Sequence, residues 1–144
     1  MPDDPHDLKR FLDAQQGRYE RALSELEQGR KRSHWMWFVF PQVAGLGHSG
    51  MAQRYAIRSR DEALAYLANP ILSGRLQACC RALLKHRQKN IEIIMGYPDN
   101  LKLFSSMTLF ACMSPPDSVF HEVLDAFYGG RKDSFSTNFL EMEG

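Results

Sequence analysis

The chain has 144 residues, 44% of them hydrophobic and 24% charged. That is the size and mixture of one globular domain with room for a core, not of a disordered segment. Its 18 Lys and Arg stand against 17 Asp and Glu, a formal charge of +1, which argues against bulk attraction to DNA or to an anionic membrane.

The three cysteines, Cys79, Cys80 and Cys112, are odd in number, and two are adjacent. They make neither a disulfide framework nor a zinc spacing, so a reduced cytoplasmic setting and no metal or other cofactor are expected. The opening Met1-Pro2-Asp3-Asp4-Pro5 lacks the apolar stretch of a signal peptide. The longest strictly apolar run, Trp35 to Phe40, is far below the ~20 residues of a membrane span.

Residues 1–6 are expected to be disordered. Asp7 is placed to cap a first helix carrying Leu8, Phe11 and Leu12 on one face. Gly17 interrupts it. A second helix spans about Arg18 to Gln28, with Tyr19, Ala22, Leu23 and Leu26 inward and Gly29 as its stop. Ser33 to Phe40 reads as a short buried helix that ends before Pro41. Gln42 to His48, with Gly45 and Gly47, reads as a loop. Ser49 can cap a helix through Ile57.

Ser59-Arg60-Asp61-Glu62 has the form of a capping box, opening a helix that Asn69-Pro70 ends. Pro70 suits the first turn of the next and longest helix, to about Arg87. Ile91 to Met95 is a short apolar segment. Asp99 or Asn100 starts a helix through Phe110, and Pro115-Pro116 breaks it. Asp117 caps a last helix, which Gly129-Gly130 closes. No strand pair, hairpin turn or βαβ rhythm interrupts this pattern. The expected fold is all-α: a compact single-domain orthogonal array of about eight short helices over residues 7–130. A polar, loosely packed tail over 131–144 follows.

Chemistry concentrates between Gly29 and Tyr55. Arg30, Lys31, Arg32 and His34 form a basic cluster. Trp35 and Trp37, the chain's two tryptophans, follow at once. Gly45-Leu46-Gly47-His48-Ser49 then leads into a helix N-terminus, where free N–H groups favour an anion. Gln53, Arg54 and Tyr55 lie one turn on. Arginine forks, oriented N–H groups and aromatic faces suit a phosphorylated or nucleotide-like molecule. The expected ligand-binding set is therefore Arg30, Arg32, His34, Trp35, Trp37, His48, Ser49, Gln53, Arg54 and Tyr55. His34 and His48 are the candidate acid–base groups should chemistry occur. The motif lacks the third Gly of a dinucleotide fingerprint and the Lys of a P-loop. Trp35 to Phe40 also serves as core. A second reading makes the basic face a dock for RNA or an acidic protein, with no catalysis. Ser105 and Ser106 lack a nucleophile elbow and read as helix-packing serines, and Cys79 and Cys80 read as inert core thiols.

The run Gly29 to Gln42, then Gly45 to Ser49 and Met51 to Ile57, resembles the bacterial domain of unknown function 1810 family. Its members are sometimes labelled "calpastatin". Asp99 to Leu103, Ser105 to Phe110 and Phe127-Tyr128-Gly129-Gly130 carry the resemblance on, so that it covers about Asp7 to Asp133. Asp133 to Phe139 follows the family's tail only loosely. The resemblance implies a compact all-helical domain, unlike the disordered repeats of a calpain inhibitor, and it implies no activity.

Overall fold

The computed structural model describes residues 3–143. Among them are ten helices: α1 Lys9–Gln15, α2 Tyr19–Glu27, α3 Met36–Val39, α4 Gly50–Arg54, α5 Arg60–Ala68, α6 Pro70–Leu84, α7 Ile91–Met95, α8 Asp99–Cys112, α9 Val119–Tyr128 and α10 Ser134–Glu143. None is long and apolar enough to cross a membrane. No strand occurs among the described residues. One isolated parallel bridge pairs Val43 with Ile57. That bridge explains why α4 stops at Arg54 rather than Ile57. The Ile57 N–H donates to the Gln42 carbonyl, and the Ala44 N–H to the Ile57 carbonyl, both at 2.9 Å.

Two helices exceed the eight expected. Asn90 opens α7 by accepting the Glu92 N–H at 2.8 Å. The other is α10, which replaces the loosely packed tail. Asp133 starts it by accepting the Ser136 hydroxyl at 2.6 Å and the Ser136 N–H at 3.2 Å. Ser136 and Leu140 are then buried, and α10 packs on α8. The small Ser136 lets the two backbones approach, and polar composition alone hides that.

The caps follow side-chain chemistry, with small shifts. Ser59 accepts the Glu62 N–H, and Asn69 accepts the Ile71 and Leu72 N–H groups ahead of Pro70. At α9 the cap is Ser118, not Asp117. Gly129, at φ 63°, ends that helix in the left-handed region. At α1 the cap position is Leu8, not Asp7, and the Leu8 and Lys9 N–H groups donate to the two carboxylate oxygens of Asp4 at 2.8 and 3.0 Å. Asp4 thus ties down part of the segment expected to be disordered. Met1 and Pro2 lie outside the described residues.

Helix α8 is the axis of the core. Leu103 and residues 105–111 are all buried, so its second half has no solvent face. Helices α5, α7, α9 and α10 pack around it, while α6 backs α9, α5 and α2. Helix α1 lies on α3.

One buried ion pair pins the N-terminal helix to this body. Arg10 Nη2 lies 2.6 Å from Glu62 Oε2, with both side chains at most 6% exposed. The guanidinium also donates to the His6, Asp7, Arg54 and Ala56 carbonyls. Glu62 is thereby drawn away from a closed capping box. Its second oxygen accepts the Arg58 N–H at 3.2 Å. Removing one partner leaves a buried charge without its counterion. Glu62→Gln should therefore lower unfolding stability by about 3–5 kcal/mol. Urea denaturation measures this, and a change below about 1 kcal/mol contradicts it.

Candidate functional site

The Gly29–Trp35 segment owes its shape to one carboxylate. Glu25, on the inner face of α2, accepts four hydrogen bonds. Ser33 Oγ donates at 2.6 Å, the Arg32 N–H at 2.8 Å, Trp35 Nε1 at 2.9 Å and the Ser33 N–H at 3.1 Å. Burial raises the pKa of this carboxyl, but the four donors outweigh burial and hold it at about 2. Gly29, at φ 78°, makes the turn out of α2 against His86 and Lys89, where a side chain would collide.

The basic run does not stay together. Lys31 turns inward, with its side chain only 8% exposed, and pairs with Asp99 of α8 at 2.8 Å. Its ammonium also donates to the Ser33 carbonyl and stands 5.0 Å from the Trp35 ring centroid. Arg32 reaches back to Gln28 at 2.7 Å. Arg30 is exposed. Trp35 is 1% exposed, so its ring is core and offers no stacking face.

His34 is exposed on the rim of a depression of about 260 Å³, which Ser33, Trp35, Arg18 and Arg21 also line. The two arginines come from the start of α2. They are functional candidates absent from the expected set. Their signal was available, because Arg18 caps α2 and Arg21 lies in its first turn, shortly ahead of the basic run. Among the described residues, neither arginine nor His34 makes a side-chain hydrogen bond or ion pair within the protein. Arg18 only overhangs the Phe38 ring at 5.7 Å.

A second recess is a narrow slot between α3 and α4, closed by Lys102 of α8. Trp37 and Tyr55 from the expected set line it with Phe40 and Gln42. A third hollow runs along the glycine loop past Gly45, Gly47, Gln53 and Arg58. Gly47 is needed there, since a Cβ would sit 2.6 Å from that of Ala52. Gln53 donates to the His48 carbonyl at 3.0 Å, while the His48 ring is exposed. Ser49 Oγ is spent on the Ala52 N–H at 3.1 Å. Arg54 is exposed, and its guanidinium stands 5.6 Å from the Tyr55 ring. His34 and Trp35 thus border one recess, Trp37 and Tyr55 another, and Gln53 the third.

Elsewhere the reactive side chains are quiet. Burial pushes the Cys79 thiol up to about 12 and that of Cys80 well above its ordinary value. Ser105 donates to the Leu101 carbonyl at 3.3 Å, as a helix-packing serine does. Among the described residues no three His, Cys, Asp or Glu side chains gather as metal ligands would.

A family described as "Protein of unknown function (DUF1810)" matches residues 5–140. The chain belongs to the DUF1810 family. The match runs through most of α10, so the family's domain includes the last helix. Among solved structures, the crystal structure of the conserved hypothetical protein Rv1873 from Mycobacterium tuberculosis is similar at 48% identity. It covers 96% of this chain and 99% of that one, with a TM-score of 0.93. No curated protein matches. A fold shared so closely makes the Glu25 brace a feature that can be tested on this DUF1810 chain directly.

The Glu25 carboxyl lies below its ordinary 4.5 when folded. Its contribution to stability is therefore complete above about pH 4.5 and is lost as pH falls towards about 2. A depression of that size corresponds to roughly 3 kcal/mol. Urea unfolding across this acid range should show that loss in the parent and a flatter profile in Glu25→Gln. Parallel profiles would rule the brace out as a charged one.

Proposed function

We propose that this DUF1810 chain is a small-ligand-binding domain whose ligand carries a phosphate group, seated over Arg18, Arg21 and His34. The observation that carries the reading is the unpartnered state of these three side chains around one depression of about 260 Å³. Elsewhere the fold spends its buried cations internally, Arg10 on Glu62 and Lys31 on Asp99. Arginine forks match phosphate oxygens with paired, charge-assisted hydrogen bonds. Ser33 and Trp35 beneath them are fixed by Glu25, so the floor is rigid before a ligand arrives. The negative charge of Glu25 already has four donors and is outnumbered by the cations above it. Exposed Arg30 and Arg32 add positive potential nearby.

Isothermal titration with inorganic phosphate, ribose 5-phosphate and a nucleoside monophosphate tests the assignment. Arg18→Ala with Arg21→Ala should weaken binding at least about tenfold, since each lost charge-assisted bond is worth about 1.5–3 kcal/mol. Both side chains are exposed, so the variant should keep its thermal midpoint. Unchanged phosphate affinity would exclude this site. Tighter binding of an oligoribonucleotide than of any monomer would favour the docking role instead.

A further inference from the structure

The loop that leaves α2 turns back along it, and its hydrogen bonds fix the order. Arg32 Nη1 donates to Gln28 at 2.7 Å, at the C-terminal end of α2. Ser33 is held on Glu25, one turn earlier in the helix. His34 then reaches the depression that Arg18 and Arg21 border at the N-terminal end. Cations thus stand at both ends of one side of α2.

Arg32 is aimed, unlike Arg18 and Arg21. Gln28 Nε2 donates to Ser24 Oγ at 3.3 Å, which turns Gln28 Oε1 towards Arg32. Gln28 is neutral, so this bond orients the guanidinium without cancelling its charge. Among the described residues Arg32 makes no ion pair. Between the two ends lie Ser24, which is neutral, and Glu25, which is buried and already has its four donors. The exposed carboxylates of α2 lie on its other side. Glu27 pairs with Lys85 of α6 at 2.6 Å, and Glu20, two turns before Glu27, shares that side.

Gln28 lies two turns beyond Arg21, about 10 Å along the helix axis. A phosphate accepts hydrogen bonds of about 3 Å, so one phosphate seated on Arg18 and Arg21 leaves Arg32 unused. A chain of linked phosphates runs from one end towards the other. We propose that the ligand of the depression carries such a chain, with its terminal phosphate over Arg18, Arg21 and His34 and a later phosphate at Arg32. This rests on the phosphate reading above and narrows its ligand to the class of linear oligophosphates, free or esterified. Trp35 is buried and gives a base no face, so the phosphates carry the recognition.

Inorganic triphosphate is the probe, titrated calorimetrically in metal-free buffer beside orthophosphate and citrate, a compact trianion. Triphosphate should bind at least about tenfold tighter than orthophosphate, the gain of one further charge-assisted contact. Citrate should show no such gain. Arg32→Ala keeps the backbone N–H that Glu25 accepts, so the brace stays intact. It should remove most of the gain while orthophosphate binds as before. Gln28→Glu hands Arg32 a counterion and should do the same. Arg87→Ala, at a cation beside Glu122 and Asp125, should leave triphosphate affinity unchanged. Adenosine triphosphate bound tighter than triphosphate would make the chain that of a nucleotide, and equal or weaker binding would make it a free one. Orthophosphate binding that depends on Arg18 and Arg21, with no gain for triphosphate, would overturn this inference and leave the phosphate reading standing. A gain matched by citrate, untouched by Arg32→Ala or equally lost in Arg87→Ala would overturn it as diffuse attraction. No binding of any phosphate would sink both.

Discussion

A single carboxylate organises the stretch that floors the arginine depression. Glu25 sits on the inner face of α2, where an unpaired charge would be costly. It is tolerated because the next ten residues turn back and offer it four donors. That turn fixes Trp35 in the core. It also aims Lys31 across to Asp99 and lets the Lys31 N–H donate to the Ile94 carbonyl at 2.7 Å. Helices α2, α7 and α8 are thus joined through one loop that has no regular structure of its own. Loss of the Glu25 charge would leave several donors competing for a weaker acceptor, so the damage would spread beyond one hydrogen bond.

Much of the fold was legible because it is written locally. Ser59 and Asn69-Pro70 mark helix starts through groups within three residues, Gly129 marks an end through its left-handed backbone, and the aliphatic stripes mark the inward faces. The tail was not legible, since Asp133 and Ser136 read as polar filler until α8 supplies the surface that buries Ser136. Glu25 was half legible. It falls between Ala22 and Leu26 on an apolar face, and a charge there calls for a partner. The identity of that partner lies in a backbone turn that no periodicity describes. Arg10 and Glu62 are 52 residues apart, and nothing in either local sequence announces the other.

The basic run shows why charge in a sequence is a poor map of a site. Arg30, Lys31 and Arg32 are consecutive, yet they point to solvent, to Asp99 and to Gln28 respectively. The turn imposed by Glu25 separates them, because each residue leaves the loop in a different direction. Arg18 caps α2 and Arg21 lies in its first turn, so the two stay at one helix end and border the same depression. Helical spacing concentrates charge, whereas an irregular turn disperses it.

The two recesses follow different physics for the same reason. Arg18 and Arg21 are exposed, and their side chains are ordered only when an anion arrives, which costs rotamer entropy. Their attraction is Coulombic and in contact with water, so salt screens it. The slot is held by rings that already interlock, Tyr55 with Phe11 and Phe38, so little order remains to be imposed. The depression thus presents charge in the open, whereas the slot is enclosed by rings and has room for little more than a water.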